Sequence, residues 1–150
     1  VILFLLAAAG PFSWLMSEAH VATMISQSIL GISKDPLIVL MVVNLLLLAV
    51  GMVFEPLPAL VMFVPTLLPI QAALGIDSIH FATVVIINLM IGMLHPPVGL
   101  LILITAAIGR VRLWSVAVET LPFLAWSLMV LVLVSVFPFL VTWLPNVAIK

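Results

Sequence analysis

The sequence predicts an all-α membrane protein, a helical bundle containing a re-entrant hairpin and one transmembrane helix broken by proline and glycine. Three observations carry this expectation. The chain of 150 residues is 67% hydrophobic and only 6% charged, far from the roughly half-apolar, quarter-charged make-up of soluble domains. Its mean hydropathy is +1.56, and its uncharged runs approach the ~20 residues that a helix needs to cross a bilayer. Two proline-rich stretches then interrupt the apolar sequence, from Glu55 to Pro69 and from His95 to Gly99. In hydrocarbon an unpaired backbone N–H or C=O costs several kcal/mol, so such breaks persist only when buried in protein or lining a wet cavity.

Taken in order, residues 1–16 are apolar but short, contain Gly10-Pro11, and read as the end of a spanning helix. Within 17–33, Val21, Met24, Ile25, Ile29 and Ile32 recur at helical spacing with Glu18, Thr23, Ser26 and Gln27 elsewhere on the wheel, the pattern of an amphipathic arm helix in the interface. Lys34-Asp35-Pro36 ends it. Residues 37–54 are uncharged and would span about 27 Å at 1.5 Å per residue, a transmembrane helix. In 56–74, Pro56, Pro58, Pro65 and Pro69 argue against one continuous helix; two half-helices meeting near Val64-Pro65-Thr66 are expected instead.

Gly75 stops that element and Asp77 caps the next, a broken transmembrane helix over 78–108. A short interfacial helix at 113–119 and a last span at 122–144 complete the chain. Lys34, Arg110 and Arg112 fall on one side of the membrane if the 56–74 hairpin enters and leaves by the opposite side, as the positive-inside tendency favours. The chain starts at Val1 within an apolar run and reads as part of a longer polypeptide.

Composition also excludes functions. A formal net charge of −1 with four Lys and Arg leaves no basic surface for nucleic acid. With no cysteine there is no thiolate nucleophile, and no H-x-x-x-H, G-x-S-x-G or phosphate loop occurs. An intramembrane enzyme built on Glu55, His80 and His95 has no evident geometry, so no enzyme and no cofactor are expected.

The backbone of the breaks is the stronger functional candidate. Unwound carbonyls and half-helix C-termini offer partial negative charge to Na⁺ or H⁺, while half-helix N-termini favour an anionic group. Among polar residues in the spans, Thr66 at the expected hairpin tip, Asn88 and Thr105 are candidates to meet a substrate. Asn88, two turns before His95 on nearly the same helix face, also fits interhelical packing by hydrogen bonding, the favoured reading. His95 opens the Pro-Pro break, either as a protonatable group or as a cap for a carbonyl freed by Pro96 and Pro97. Glu55 and Asp77 read mainly as helix-start residues.

Three stretches together resemble the C-terminal half of the large membrane subunit of tripartite ATP-independent periplasmic (TRAP) transporters. They are the helix from Asn44 to Glu55, the segment Pro65-Thr66-Leu67-Leu68-Pro69 through Gly75-Ile76-Asp77 to Phe81, and Asn88 through Gly92 and His95-Pro96-Pro97-Val98-Gly99. The resemblance implies that 1–150 is a single transmembrane region, the second inverted repeat of an elevator-type secondary transporter. It further implies a permease that imports organic acids such as C4-dicarboxylates or sialic acids, coupled to Na⁺ or alternatively H⁺. Its implied partners are a small membrane subunit, a periplasmic substrate-binding protein and the N-terminal half of the same permease, in the bacterial or archaeal inner membrane. Carried over by position, Gly92, His95, Pro96, Val98 and Gly99 would form a cation-binding break opposed by the hairpin tip at Val64 and Pro65. The family usually has Thr where this chain has His95, Asp in place of Glu55, and Pro in place of Ser78. A different class of function, a noncatalytic membrane scaffold, would use the breaks only as kinks.

Overall fold

A computed structural model describes residues 2–96 and 99–148, and every regular element among them is helical. Two helices, α1 (Ile2–Glu18) and α2 (Val21–Ile32), meet at a turn where His20 is left-handed, φ 53°. They pack on α4 (Pro56–Ala73). The body of the bundle is α3 (Pro36–Gly51), α5 (Ser78–Gly92) and α7 (Leu113–Val136), joined by α4 and by α6 (Leu100–Gly109). A final short helix, α8 (Phe139–Ala148), touches α5.

Local chemistry explains where the central helices begin. The Asp35 carboxylate accepts from Leu37 N at 2.8 Å and Ile38 N at 3.4 Å, with Pro36 at a position where no intrahelical N–H is lost. Asp77 does the same for α5, accepting from Ile79 N and His80 N, both at 2.9 Å. Gly75 provides the left-handed residue between α4 and α5, φ +64°. The core then assembles from one face of each helix. Val39, Leu40, Val43 and Leu47 of α3 meet Phe81, Val84, Val85 and Leu89 of α5, with Leu124, Leu131 and Val134 of α7 closing the cluster. These spacings of three, four and seven keep each set on one helical face.

Helix directions follow from the contacts. Asn88 reaches Asn44, and four residues on Gly92 touches Gly51, seven residues past Asn44, so α3 and α5 run parallel. The intervening α4 runs back beside them, with Leu60 and Val61 near Val85 and Ile86, and Gln71 near Ser78. Antiparallel to α5, α7 bonds through the Val134 carbonyl to His80 at its far end, then passes Ile91 with Trp126 and Thr105 with Glu119. Along α7, therefore, α6 continues where α5 stops, and α5–α6 is one path interrupted between Gly92 and Leu100.

Three sequence expectations are corrected here. Residues 56–73 form one continuous helix, not two half-helices. Pro56 and Pro58 lie in its first turn, where the N–H groups have no intrahelical partner, so only Pro65 and Pro69 delete bonds. The turn lies earlier, at Met52–Glu55, and α3 is correspondingly 16 residues, about 24 Å long. Second, α7 runs uninterrupted from Leu113 through Pro122 to Val136, merging the expected 113–119 and 122–144 pieces, and the chain breaks again before α8. Third, Pro36 and Asp77 line the same cavity of about 310 Å³. The α5–α6 path starts at that end and leads away from it, so Lys34 and Arg110 lie at opposite ends of the bundle. By length and composition α4 and α7 are each able to cross a membrane.

Candidate functional site

The two chain breaks meet. A Cβ built on Gly92 would lie 2.6 Å from the Cα of Gly51 and 2.7 Å from its carbonyl carbon, and one on Gly51 would lie 3.0 Å from the Leu89 oxygen. Backbone therefore touches backbone where α3 and α5 end, an approach open only to glycine. Beyond Gly51 the chain turns at Met52–Glu55, where the amides of Val53 and Phe54 bond the Val50 carbonyl at 3.0 and 2.9 Å. Phe54 packs edge-on against Phe63 of α4, ring centroids 6.0 Å apart.

Beyond Gly92 the chain tightens into short-range turns, Leu94 N to Ile91 O and His95 N to Gly92 O at 2.9 and 3.0 Å. Leu101 N, in the first turn of α6, returns to the Met93 carbonyl at 3.2 Å, so the two halves of the broken helix stay adjacent. Gly99 is buried at φ +25°, and a Cβ there would sit 2.9 Å from both the Met93 and His95 carbonyl oxygens. Those two carbonyls thus converge on one point beside the break. The His95 imidazole donates from Nδ1 to the Pro96 carbonyl at 2.6 Å, which leaves Nε2 as the ring's acceptor in that tautomer.

Four helix ends consequently share one neighbourhood: the C-termini of α3 and α5 and the N-termini of α4 and α6. The first pair carries partial negative charge and the second partial positive charge. Such an arrangement can hold a cation through backbone carbonyls and face an anionic group with amides, without a side-chain carboxylate. Glu55, half-buried at the start of α4, makes no side-chain cap; its carboxylate lies beside this neighbourhood at the positive helix end.

The site residues expected from sequence divide accordingly. Gly92, His95, Pro96 and Gly99 sit at the break, and Val98, with Pro97, lies outside the described residues. Val64 and Pro65 do not oppose them: they lie in the middle of α4, Val64 lining an apolar groove of about 380 Å³ and Pro65 exposed. Thr66 is no hairpin tip either, being buried in α4 with Oγ1 donating to the Met62 carbonyl at 3.4 Å. Asn88 is fully buried and donates to the backbone and side-chain oxygens of Asn44, each at 2.9 Å, the packing geometry. Thr105 is exposed on α6 beside Glu119 and Thr120 of α7, two turns from the break. His80 lies in the first turn of α5 and His95 beyond its other end, with about 18 Å of helix between His80 and Gly92, which removes the enzyme constellation.

Sequence reasoning missed Gly51 and the turn that follows it. The signal was present as a glycine ending an apolar run, then an acidic residue and Pro-x-Pro opening the next helix, a stop-and-start signature.

Comparison with known proteins gives a consistent result. Residues 1–140 match the family described as tripartite ATP-independent periplasmic transporter, DctM component. The chain is 38% identical over 135 residues to the sialic acid TRAP transporter large permease protein SiaM of Vibrio cholerae serotype O1, covering 90% of this chain and 32% of that protein. It is 35% identical over 146 residues to the C4-dicarboxylate TRAP transporter large permease protein DctM of the same organism, covering 97% and 32%. It is 33% identical over 138 residues to the isethionate TRAP transporter permease protein DctMQ of Oleidesulfovibrio alaskensis, covering 92% and 22%. The chain spans about a third or less of these relatives, which are named as transporter permeases rather than enzymes. The family match over nearly the whole chain places it: the chain belongs to the TRAP transporter large permease family.

Proposed function

We propose that this chain is the C-terminal repeat of a permease that imports organic acids across the bacterial or archaeal inner membrane, coupled to a cation, with Na⁺ as the leading ion. The carrying observation is the meeting of the two breaks, where Gly51 and Gly92 touch and the Met93 and His95 carbonyls converge on Gly99. In this reading α3 and α4 are the arms of a re-entrant hairpin with its tip at Met52–Glu55, and α5–α6 is the broken transmembrane helix. The cation is held by carbonyls of Gly51, Gly92 and His95, with Pro96 shaping the turn. The substrate's anionic group faces the N-termini of α4 and α6, where helix dipoles favour negative charge. Sialic acid, C4-dicarboxylate and isethionate, for which the relatives are named, are all organic acids and support the substrate class.

The remaining half of the site belongs to the inverted N-terminal repeat of the same permease, and the two repeats carry substrate and cation across by an elevator-type movement. A small membrane subunit and a periplasmic binding protein complete the complex. The test is uptake of labelled C4-dicarboxylate and sialic acid by the full-length permease with its partner subunits in proteoliposomes, under separately imposed Na⁺ and H⁺ gradients. Uptake driven by the Na⁺ gradient supports the proposal; uptake indifferent to both gradients refutes cation coupling, and no uptake under either gradient favours a scaffold role for the chain.

A further inference from the structure

Below the glycine contact lies a buried polar cluster that the proposed site does not use. Asn88 of α5 donates to the Asn44 backbone and side-chain oxygens on α3, each at 2.9 Å. Asn44 Nδ2 donates to the Ser135 hydroxyl of α7 at 2.9 Å, and Ser135 donates onward to the Leu131 carbonyl at 2.8 Å. All three residues are buried, and Asn88 Oδ1 has no partner among the described residues. Keeping an amide with an idle buried oxygen costs stability relative to a well-packed apolar side chain. A single buried polar contact of this kind is best attested as a device that fixes the register of neighbouring helices.

The geometry states which register it fixes. Asn44 precedes Gly51 by seven residues and Asn88 precedes Gly92 by four, so each amide shares a helix face with its glycine. The polar clasp and the glycine contact therefore lie on one α3–α5 interface, and a slip of one residue would move the ends past each other by about 1.5 Å. His80 ties α5 directly to α7, donating to the Val134 carbonyl at 2.9 Å. By contrast, the buried hydroxyl of α4, on Thr66, bonds within its own helix.

We propose that Asn88, acting through Asn44 and Ser135, is a positioning residue that holds α3, α5 and α7 in one register and thereby sets cation affinity at the paired breaks. The inference rests on the cation-site reading above. Its test compares the full-length permease and partners, unsubstituted and with Asn88→Leu, in two measurements. The first is the cation concentration for half-maximal uptake, which rises about threefold to tenfold in Asn88→Leu on the scale of one or two interhelical hydrogen bonds in a membrane. The half-saturating substrate concentration at saturating cation stays unchanged, a split that general destabilisation does not produce. The second is amide hydrogen exchange over residues 45–51, which accelerates when the clasp is cut. Should Asn88→Leu fail to accumulate, Ser135→Ala reads the same two quantities with a smaller shift.

Unchanged cation dependence with accelerated exchange overturns the positioning role, and unchanged exchange overturns the clasp itself. A parent permease without any cation dependence refutes the ion-site reading, and with it the affinity role, while the exchange pattern still decides whether the clasp exists.

Discussion

Replacing Gly92 with alanine puts a Cβ 2.6 Å from Gly51 Cα, 2.7 Å from its carbonyl carbon and 3.1 Å from its oxygen. All three neighbours are backbone, so no side chain can rotate away. Non-bonded carbons settle at about 3.5–4.0 Å, which requires α3 and α5 to part by about 1 Å at the site. Overpacking of this kind costs about 1–3 kcal/mol, equivalent to about five- to 150-fold in the population of the docked arrangement. The appropriate comparison is Gly31→Ala on α2, where a Cβ meets nothing within 4 Å and the exchange is expected to stabilise by about 0.5–1 kcal/mol. Both variants are made in the full-length permease, and thermal unfolding in detergent is measured beside uptake in proteoliposomes. Gly92→Ala should lower the unfolding temperature and cut uptake severely, and Gly31→Ala should do neither. Identical behaviour of the two variants would refute the backbone contact between α3 and α5.

Three further outcomes follow from the same geometry. Gly99→Ala faces both a left-handed φ of +25° and two carbonyl oxygens at 2.9 Å, so it should reduce cation-driven uptake more than Gly75→Ala. At Gly75 the φ is +64° but the space is open, and only about 1–2 kcal/mol of backbone strain is expected, read by thermal unfolding. Pro65→Ala restores an N–H within a continuous helix and should leave stability unchanged or raised; a marked loss of uptake at normal stability would return residue 65 to a hairpin tip. Asp77→Ala removes two N-cap bonds of 2.9 Å and should cost about 1 kcal/mol, measurable as faster amide exchange in the first turn of α5.

Much of this architecture was legible in the sequence because it depends on local rules. Composition gave the helical membrane class, Asp77 followed by Ser78 announced a capped helix start, and His95 to Gly99 announced a break, which in the structure opens three residues earlier, after Gly92. Asn88 was readable as a packing residue from its position on an apolar helix. The hairpin turn was misread because four prolines were treated alike. Two of them, Pro56 and Pro58, open a helix, while Pro65 and Pro69 are absorbed inside one. Which role a proline plays depends on the ends of the helix around it, and those ends were better marked by Gly51 and Glu55. The contact between Gly51 and Gly92 is 41 residues apart in the chain and was not legible at all, since no local pattern announces which glycines will meet. Side of entry failed for a related reason: the positive-inside tendency was applied with the turn assigned to the wrong element, which reversed the path between Lys34 and Arg110.

The chain contains no cysteine, so a single cysteine at Val53, an exposed residue in the turn between α3 and α4, can report on the paired breaks in a parent permease otherwise free of cysteine. The measurement is its alkylation rate in membranes as Na⁺ replaces choline at constant ionic strength. If the turn and the break between α5 and α6 form one cation site, Na⁺ should slow the reaction in a saturable manner, and Gly92→Ala should weaken that protection. An alkylation rate identical in Na⁺ and choline would contradict the site.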